Sequence, residues 1–216
     1  MHQSAGDHLR RRERPLQLLH RNAGSGKPLN TLRVTSGTLR GRRVPVPPRE
    51  TRPTSERARM AFFNIAGARI EGARFLDLFA GSGVFSFEAI SRGAALAVAI
   101  DQNRKAVASI TQLANEWSVP VTAIAADVFA GIQRFAVKTA VAAPFDVVYA
   151  DPPYSFGRYD ELLDAIDRQV PLADGALVAI EHQRRSEPFT IECKRLKTIR
   201  RAEYGEIWIT LFEVAS

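Results

Sequence analysis

The central part of the chain alternates between apolar runs and amphipathic stretches. The apolar runs have strand length and are found at Arg74–Ala80, Leu96–Asp101, Val121–Asp127, Phe145–Asp151 and Ala176–Glu181. Helix-like stretches separate them, at Phe85–Arg92, Lys105–Glu116, Phe129–Ala136 and Tyr159–Gln169. Such alternation predicts an α/β fold with helices on both faces of a mostly parallel sheet, because strands that are apolar throughout are covered on both sides.

The segment before this region predicts a hairpin followed by a helix. Between Thr31 and Pro48, apolar positions alternate around turns at Gly37 and Gly41, which indicates a short β-hairpin with arginines on its loop. The sequence Arg-Pro-Thr-Ser at 52–55 then predicts a helix start, with Thr54 or Ser55 as the cap.

The C-terminal segment has the period of antiparallel strands. Lys194–Ala202 and Glu206–Val214 both alternate between apolar and polar positions, and Tyr204-Gly205 lies between them. This pattern predicts a hairpin that closes one edge of the sheet. Seven strands are therefore expected, the last of them antiparallel.

Composition narrows the class of protein. The chain has 216 residues, 45% hydrophobic and 25% charged, which is typical of a globular protein and excludes a collagen-like chain or a membrane bundle. Cys193 is its one cysteine, so no intrachain disulfide can form, which is compatible with a reducing compartment, and we expect a cytoplasmic protein. A monomer is the default expectation. The four histidines have no cysteine cluster beside them, so no metal site is expected.

The charge distribution predicts a polyanionic partner. Residues 1–60 hold 14 Lys/Arg and 4 Asp/Glu, a net charge of +10, whereas the rest of the chain has a net charge of −3. A second basic cluster lies at 184–201. Nucleic acid is the commonest partner of such surfaces. We expect a basic flexible extension over 1–30, a basic arm over 31–51 and a catalytic domain over 52–216.

An aspartate recurs near the end of each of four successive strands. Asp77, Asp101, Asp127 and Asp151 are spaced by 24, 26 and 24 residues. In an open α/β sheet the carboxyl ends of the strands line the ligand crevice. One such aspartate could simply cap the following helix, but a series of four predicts a binding site.

Two of these aspartates belong to motifs with a readable chemistry. Residues 76–83 read Leu-Asp-Leu-Phe-Ala-Gly-Ser-Gly, a turn that lets a ligand approach the backbone and lacks the third glycine of a dinucleotide site. Residues 151–154 read Asp-Pro-Pro-Tyr, a stiff loop whose acceptors can hold an exocyclic amine beside an aromatic face. The pair predicts a nucleoside-like ligand and an aromatic amine that meets it.

The first motif resembles that of the class I S-adenosylmethionine-dependent methyltransferases. The resemblance implies S-adenosylmethionine as methyl donor, with Asp101 at the ribose and Asp127 at the adenine amine. The implied donor-binding residues are Asp77, Phe79, Ala80, Gly81, Ser82, Gly83, Asp101, Gln102, Asp127 and Val128. The implied catalytic residues, in the motif of amino-methyltransferases, are Asp151, Pro152, Pro153 and Tyr154.

The chain from about Arg33 to Phe212 resembles the RsmD family of bacterial small-subunit rRNA guanine-N2 methyltransferases. The arm sequence Arg33-Val-x-Ser-Gly-x-Leu-Arg-Gly-Arg42 and Arg52-Pro-Thr-x-x-Arg57 are its more specific parts, beside Glu88-Ala-x-Ser-Arg-Gly93 and Tyr204-Gly205. The resemblance implies methylation of a guanine N2 amine in 16S rRNA, at guanine 966, with 16S rRNA or the small ribosomal subunit as partner. Candidate RNA contacts are Arg40, Arg42, Arg43, Arg52, Arg57, Arg184 and Arg185.

Three other functions remain open from the residues. An adenine-N6 methyltransferase acting on RNA or DNA would use the same amine chemistry, although a separate DNA-recognition domain is not expected in 216 residues. Protein glutamine methylation favours Asn where this chain has Asp151. A non-catalytic RNA-binding assembly factor on the same scaffold predicts decay of the motifs, and both motifs are intact.

Overall fold

The computed structural model describes residues 30–46, 54–137, 143–153, 155–184 and 189–215. A short hairpin comes first, formed by β1 (Thr31–Arg33) and β2 (Arg43–Pro45). The remaining elements are α1 (Thr54–Ala66), a 3₁₀ turn (Gly67–Ile70), β3 (Arg74–Leu78), α2 (Val84–Ser91), β4 (Leu96–Asp101), α3 (Arg104–Trp117), β5 (Val121–Ala125), α4 (Val128–Val137), β6 (Phe145–Ala150), α5 (Tyr159–Gln169), β7 (Leu172–Gln183), β8 (Leu196–Tyr204) and β9 (Ile207–Val214).

The sheet has seven strands in the order β5-β4-β3-β6-β7-β9-β8. The first five strands in this order pair in parallel, and β9 runs antiparallel to both β7 and β8. The direction of the strand order changes between β3 and β6, so the crevice at their carboxyl ends is the expected ligand position. The predicted α/β architecture, including the antiparallel terminal hairpin, is confirmed.

Two apolar cores cover the two faces of the sheet. One contains the buried side chains of α1, α2, α3 and the N-terminal hairpin, including Phe62, Phe87, Ile110 and Val44. The other contains those of α4 and α5, including Ile132. Strands buried on both faces need apolar residues at successive positions, which explains their continuous apolar runs.

Some strand ends differ from the prediction for local reasons. β3 ends at Leu78 rather than Ala80, because Phe79 adopts a positive φ of 63° and turns the chain out of the strand. β5 ends at Ala125 rather than Asp127, because Asp127 accepts hydrogen bonds from the first amides of α4. β7 is longer than predicted and runs from Leu172 to Gln183.

Several predicted features lie outside the described residues. These are residues 1–29, the end of the arm at 47–51, Arg52, Tyr154 and Arg185. Helix α1 begins at Thr54 where the sequence predicted a helix start, but the side chains of the two proposed caps are not among those described. In the part of the chain that is described, no helix is both long enough and apolar enough to cross a membrane.

Candidate active site

A cavity of about 650 Å³ opens at the carboxyl ends of the central strands. Its wall contains all four aspartates of the predicted series: Asp77, Asp101, Asp127 and Asp151. It also contains Phe79 to Ser82, Gln102, Val128, Pro152 and Pro153 from the predicted site. The volume lies within the range of small-molecule pockets. The structure thus brings the described donor-site and amine-site candidates together around one space, except Gly83, which is not among the lining residues.

Asp77 is the most buried of the four aspartates. It lies inside β3 with 2% of its surface exposed. Its Oδ2 accepts hydrogen bonds from the Ser86 backbone N–H (3.1 Å) and the Ser86 hydroxyl (2.7 Å) on α2. Burial raises the pKa of Asp77 to about 7, an effect that the nearby Asp101 and Asp151 carboxylates reinforce and the Ser86 hydrogen bonds oppose.

Asp101 holds the glycine-rich turn in place. It is the last residue of β4, and its Oδ2 accepts the Gly81 backbone N–H at 2.8 Å. Its Oδ1 accepts the Asn103 N–H at 2.7 Å. Since a carboxylate has about four lone-pair positions, Asp101 retains acceptor capacity for ribose hydroxyls.

Asp127 caps the N-terminus of helix α4. Its Oδ1 accepts the Phe129 N–H at 3.0 Å and the Ala130 N–H at 3.4 Å, the pattern of a helix cap. The capping interpretation considered for a single aspartate therefore holds for Asp127, although the residue also lines the cavity.

The turn after β3 depends on glycine. Gly81 and Gly83 have positive φ angles of 52° and 77°, a conformation that side chains with a Cβ rarely adopt. A Cβ on Gly83 would also lie 2.7 Å from Cγ1 of Ile110. Gly83 therefore allows close packing against α3, whereas Gly81 lines the cavity, where a ligand can approach the backbone of the turn.

The loop that carries Asp151, Pro152 and Pro153, here called the amine-site loop, runs from the end of β6 toward β3. The Asp151 N–H donates to the Leu78 carbonyl at 3.3 Å, which ties the loop to the neighbouring strand. The Pro153 carbonyl accepts the Phe156 N–H at 2.8 Å and closes a turn. Asp151 is half-buried, and Pro152 is buried beside it.

Phe156 was not identified from the sequence. It lines the cavity and packs edge-on against Phe79, with ring centroids 5.1 Å apart. It also stacks on Phe129 at 6.2 Å. Phe156 is partly buried and stands two residues after the Asp-Pro-Pro-Tyr motif, in a stretch without a period that would have placed it on an apolar face.

The cavity is strongly acidic. Its wall contains the four aspartates and Glu181, whereas Arg158 is the basic residue among the described lining residues. Arg158 lies over the Phe129 ring at 4.2 Å and donates to Glu161. A cationic ligand is favoured in such a cavity because opposite charges attract strongly at low dielectric. The residues present therefore fit S-adenosylmethionine, whose sulfonium carries a positive charge.

The N-terminal hairpin forms one wall of the cavity. Leu32 on β1 and Val46 after β2 both line it. Their contribution was not foreseen, because the sequence indicated an RNA-facing arm without showing where the arm packs. The arm is thus continuous with the site.

Polar groups at the C-terminal end of α2 hold the hairpin. Glu88 is fully buried and accepts the Thr35 backbone N–H (2.8 Å) and the Thr35 hydroxyl (2.5 Å). Arg92 donates to both Glu88 and Thr35, at 2.9 and 3.2 Å. Buried Arg59 on α1 donates to the Arg33 carbonyl at 2.9 Å. The bonds of Glu88 and Arg92 fix the arm to α2, the helix that begins at the glycine-rich turn, and the bond of Arg59 fixes it to α1.

Ser91 provides a second attachment for the hairpin. Its hydroxyl accepts the Leu39 N–H at 2.8 Å and donates to the Ser36 carbonyl, and its own carbonyl accepts the Thr38 N–H at 2.9 Å. A Cβ on Gly37 would lie 1.5 Å from the Ser91 carbonyl oxygen, so only glycine permits this approach. The motif Glu88-Ala-x-Ser-Arg-Gly93 is therefore an attachment site for the arm.

The described RNA-contact candidates are exposed. Arg40, Arg42 and Arg43 lie on the hairpin, Arg57 lies on α1, and Arg184 follows β7. The Arg42 guanidinium lies 5.1 Å from the Trp117 ring centroid, a cation–π contact. Trp117 also packs on Phe87, with ring centroids 4.9 Å apart. Among the described residues no cluster of His, Cys, Asp and Glu is arranged to hold a metal ion.

The fold and the site together define a class I S-adenosylmethionine-dependent methyltransferase fold. An RNA methyltransferase from Salinibacter ruber, solved with S-adenosyl-L-homocysteine, shares this fold with a TM-score of 0.54 and 17% identity, over 76% of this chain and 95% of that one. The Escherichia coli protein yhhF superposes with a TM-score of 0.74 at 26% identity, over 87% of this chain and 99% of that one.

The family follows from the sequence comparisons. The family model described as Conserved hypothetical protein 95 matches residues 32–213. The ribosomal RNA small subunit methyltransferase D of Escherichia coli K12 is 34% identical over 163 residues, which cover 75% of this chain and 78% of that protein. The chain belongs to this family, and the resemblance to the RsmD proteins is confirmed.

Proposed function

We propose that the protein methylates the exocyclic N2 amine of a guanine in 16S rRNA, with S-adenosylmethionine as the methyl donor. The observation that supports this most is the placement of Asp151-Pro152-Pro153 on the same cavity as the glycine-rich turn and Asp101. A similar family member is named for methylation of small-subunit ribosomal RNA. By the same resemblance, guanine 966 is the proposed target.

The donor-binding residues divide among three strands. The turn after β3 receives the methionine part beside Asp77, Asp101 at the end of β4 accepts from the ribose hydroxyls, and Asp127 with Val128 after β5 borders the adenine. Because adjacent strands are about 4.8 Å apart, these strand ends span about 10 Å. When bound, the donor supplies an electrophilic methyl group on a sulfonium.

The amine-site loop holds the acceptor nitrogen. The Asp151 carboxylate and the Pro152 carbonyl both accept from the amine, which opposes delocalisation of its lone pair into the ring and directs it toward the methyl group. The methyl carbon–sulfur bond then breaks as the carbon–nitrogen bond forms, and the sulfonium becomes a neutral thioether. The nitrogen loses one proton to Asp151 or water. Positioning of this kind contributes roughly 7–11 kcal/mol to catalysis.

Methyl transfer to ribosomal RNA is the direct test. The protein is incubated with labelled S-adenosylmethionine and 30S subunits from a strain that lacks its own guanine-N2 enzyme, and the rRNA is digested to nucleosides. N2-methylguanosine at one site is the expected result. Label on adenine would replace the guanine proposal by adenine-N6 methylation. Absence of label on RNA, with donor binding intact, would favour a protein or DNA substrate or the assembly-factor interpretation.

Asp151→Ala tests, in the same assay, whether Asp151 accepts a hydrogen bond from the target amine. We expect methyl transfer to be lost while donor affinity stays close to that of the wild type, because Asp151 contacts the acceptor. The exposed Glu203 on β8 gives a control, Glu203→Ala, that is expected to retain transfer. Normal turnover by Asp151→Ala would contradict the proposed hydrogen bond between Asp151 and the target amine.

A further inference from the structure

A second carboxylate stands beside Asp151 in the cavity wall. Ala150 on β6 pairs with Ile180 on β7 in parallel register, so the next residues, Asp151 and Glu181, lie side by side at the carboxyl end of the sheet. Both line the cavity. Glu181 is 5% exposed, which makes it a buried acidic residue at the site.

The Glu181 carboxylate is fixed from inside the core. The Tyr149 hydroxyl donates to its Oε2 at 2.6 Å. Tyr149 is itself held by stacking on Phe85, with ring centroids 4.0 Å apart, and by Phe62 at 4.6 Å. Burial and the adjacent carboxylates raise the pKa of Tyr149 well above its usual value, so the phenol stays protonated as a donor.

Glu181 lies at the opposite end of the cavity from the adenine side of the donor site. In the sheet order, Asp127 follows β5, Asp101 ends β4, Asp151 follows β6 and Glu181 lies in β7, two residues before its end at Gln183. Ile207 on β9, the strand next to β7, also lines the cavity, as do Leu32 and Val46 of the N-terminal hairpin. The cavity therefore has apolar side chains that suit a flat base, one of them Ile207, on the strand next to the buried Glu181 carboxylate.

The hydrogen-bonding pattern of guanine matches two adjacent carboxylates. Guanine carries an N1–H next to its N2 amine, so both groups donate from one edge, and carboxylates only accept. Adenine has a lone pair at N1, which a carboxylate repels. We propose that Glu181 is a specificity-determining residue that accepts the guanine N1–H while Asp151 holds the N2 amine. This inference rests on the proposed guanine-N2 activity.

An RNA analogue tests the contact without any protein variant. The target guanine, once mapped, is replaced by 2-aminopurine in a ligated rRNA, which keeps the amine on C2 but has no hydrogen on N1. The wild-type protein is expected to turn over the guanine RNA roughly 10- to 100-fold better, as measured by kcat/KM, because a hydrogen bond to a charged group is lost. Equal kcat/KM values would overturn the proposal and leave guanine-N2 methylation standing.

Glu181→Gln identifies the residue responsible. Its amide oxygen can still accept from Tyr149, while its NH₂ can donate to the bare N1 of 2-aminopurine. We expect the preference for guanine over 2-aminopurine to fall by at least roughly tenfold, with unchanged affinity for S-adenosylmethionine. Glu203→Gln, at an exposed position on β8, is the matched control and should keep the wild-type preference.

The outcomes separate the two proposals. An unchanged preference in a Glu181→Gln protein that binds donor normally would overturn the role of Glu181 alone. If Glu181→Gln does not fold, the wild-type comparison of the two RNAs still decides whether N1–H is recognised. A wild-type protein that methylates no guanine in rRNA would instead overturn the proposed function itself.

Discussion

Single carboxylates at this cavity hold the protein's own backbone and are also proposed to bind the ligand, and Asp101 is the clearest example. It organises the turn through Gly81 and is proposed to bind the ribose. Asp101→Ala is expected to weaken donor binding roughly 10- to 100-fold, since hydrogen bonds to a charged group are lost. Calorimetric titration with S-adenosylhomocysteine measures this directly, with Glu203→Ala as control. A donor affinity equal to that of the wild type would remove Asp101 from the ribose site.

Asp77 links the site to the pH dependence of stability. A carboxyl whose pKa is raised on folding, here from 3.8 to about 7, binds its proton more tightly in the folded state. The resulting stabilisation is complete below the unfolded pKa and is lost as the pH rises through about 7, an effect on the order of 4 kcal/mol. Asp77→Asn cannot ionise but keeps an acceptor for Ser86. We therefore expect it to become more stable relative to wild type as the pH rises.

Urea unfolding of both proteins at pH 4.5 and pH 8 measures this difference. The free energy of unfolding of Asp77→Asn minus that of the wild type should be larger at pH 8. If the difference is the same at both values, Asp77 does not titrate in this range in the folded protein.

The positions of site residues could be predicted from the sequence where they belong to a motif with a known chemical use. The aspartate series and the glycine turn needed only the strand pattern, and the structure brings them to one cavity. Glu181 and Phe156 were missed, and Glu88 was noted in a motif without a predicted role, because the significance of these residues depends on partners far away in sequence. Glu88, for example, meets Thr35 across 53 residues. No local period signals such a contact.

At the scale of elements, the hairpin and α2 act as one unit. Gly37→Ala is expected to undock the hairpin, because its Cβ would overlap the Ser91 carbonyl oxygen. Gly41→Ala is a matched control, since Gly41 also has a positive φ, 87°, but nothing lies within 4 Å of its Cβ position. Both variants suffer backbone strain of roughly 1–2 kcal/mol, so the difference between them reports the contact.

The measurement is tryptic cleavage of the arm together with rRNA methylation. Gly37→Ala should be cleaved faster at the hairpin arginines and should lose methyl transfer while keeping donor affinity. Gly41→Ala should resemble the wild type in both. Equal behaviour of the two variants would contradict attachment through Ser91.

Elements were predicted better than their ends. The repeating apolar runs specify buried strands, so all five runs became strands of the parallel part of the sheet. Strand ends depend on backbone choices, such as the positive φ of Phe79, that residue type alone does not reveal. The position of β9 between β7 and β8 also depends on tertiary packing, since a hairpin can add to the edge of a sheet through either of its strands.

At the scale of the whole molecule, the arm and the cavity carry opposite charges and are therefore expected to contact different parts of the substrates. The cavity wall is acidic, which favours a cationic donor but repels a phosphate backbone. The basic arm forms one side of the same cavity and carries Arg40, Arg42 and Arg43 on its exposed surface. RNA phosphates are therefore expected at the rim, with only the target base entering. Such entry requires the base to leave its stack.

This division predicts the salt dependence of RNA binding. Replacing Arg42 and Arg43 together by Ala should weaken binding and reduce the magnitude of the slope of log K against log[salt] by about 1.5, because each lost phosphate contact removes about 0.7 to 0.9. Arg69→Ala with Arg168→Ala removes the same charge from exposed positions, one in the 3₁₀ turn before β3 and one in the last turn of α5. Both lie toward the opposite end of the sheet from the cavity, so this variant should keep the wild-type slope. A slope unchanged in the Arg42 and Arg43 variant would place the RNA on another surface, whereas equal reductions in both variants would mean that net charge alone attracts the RNA.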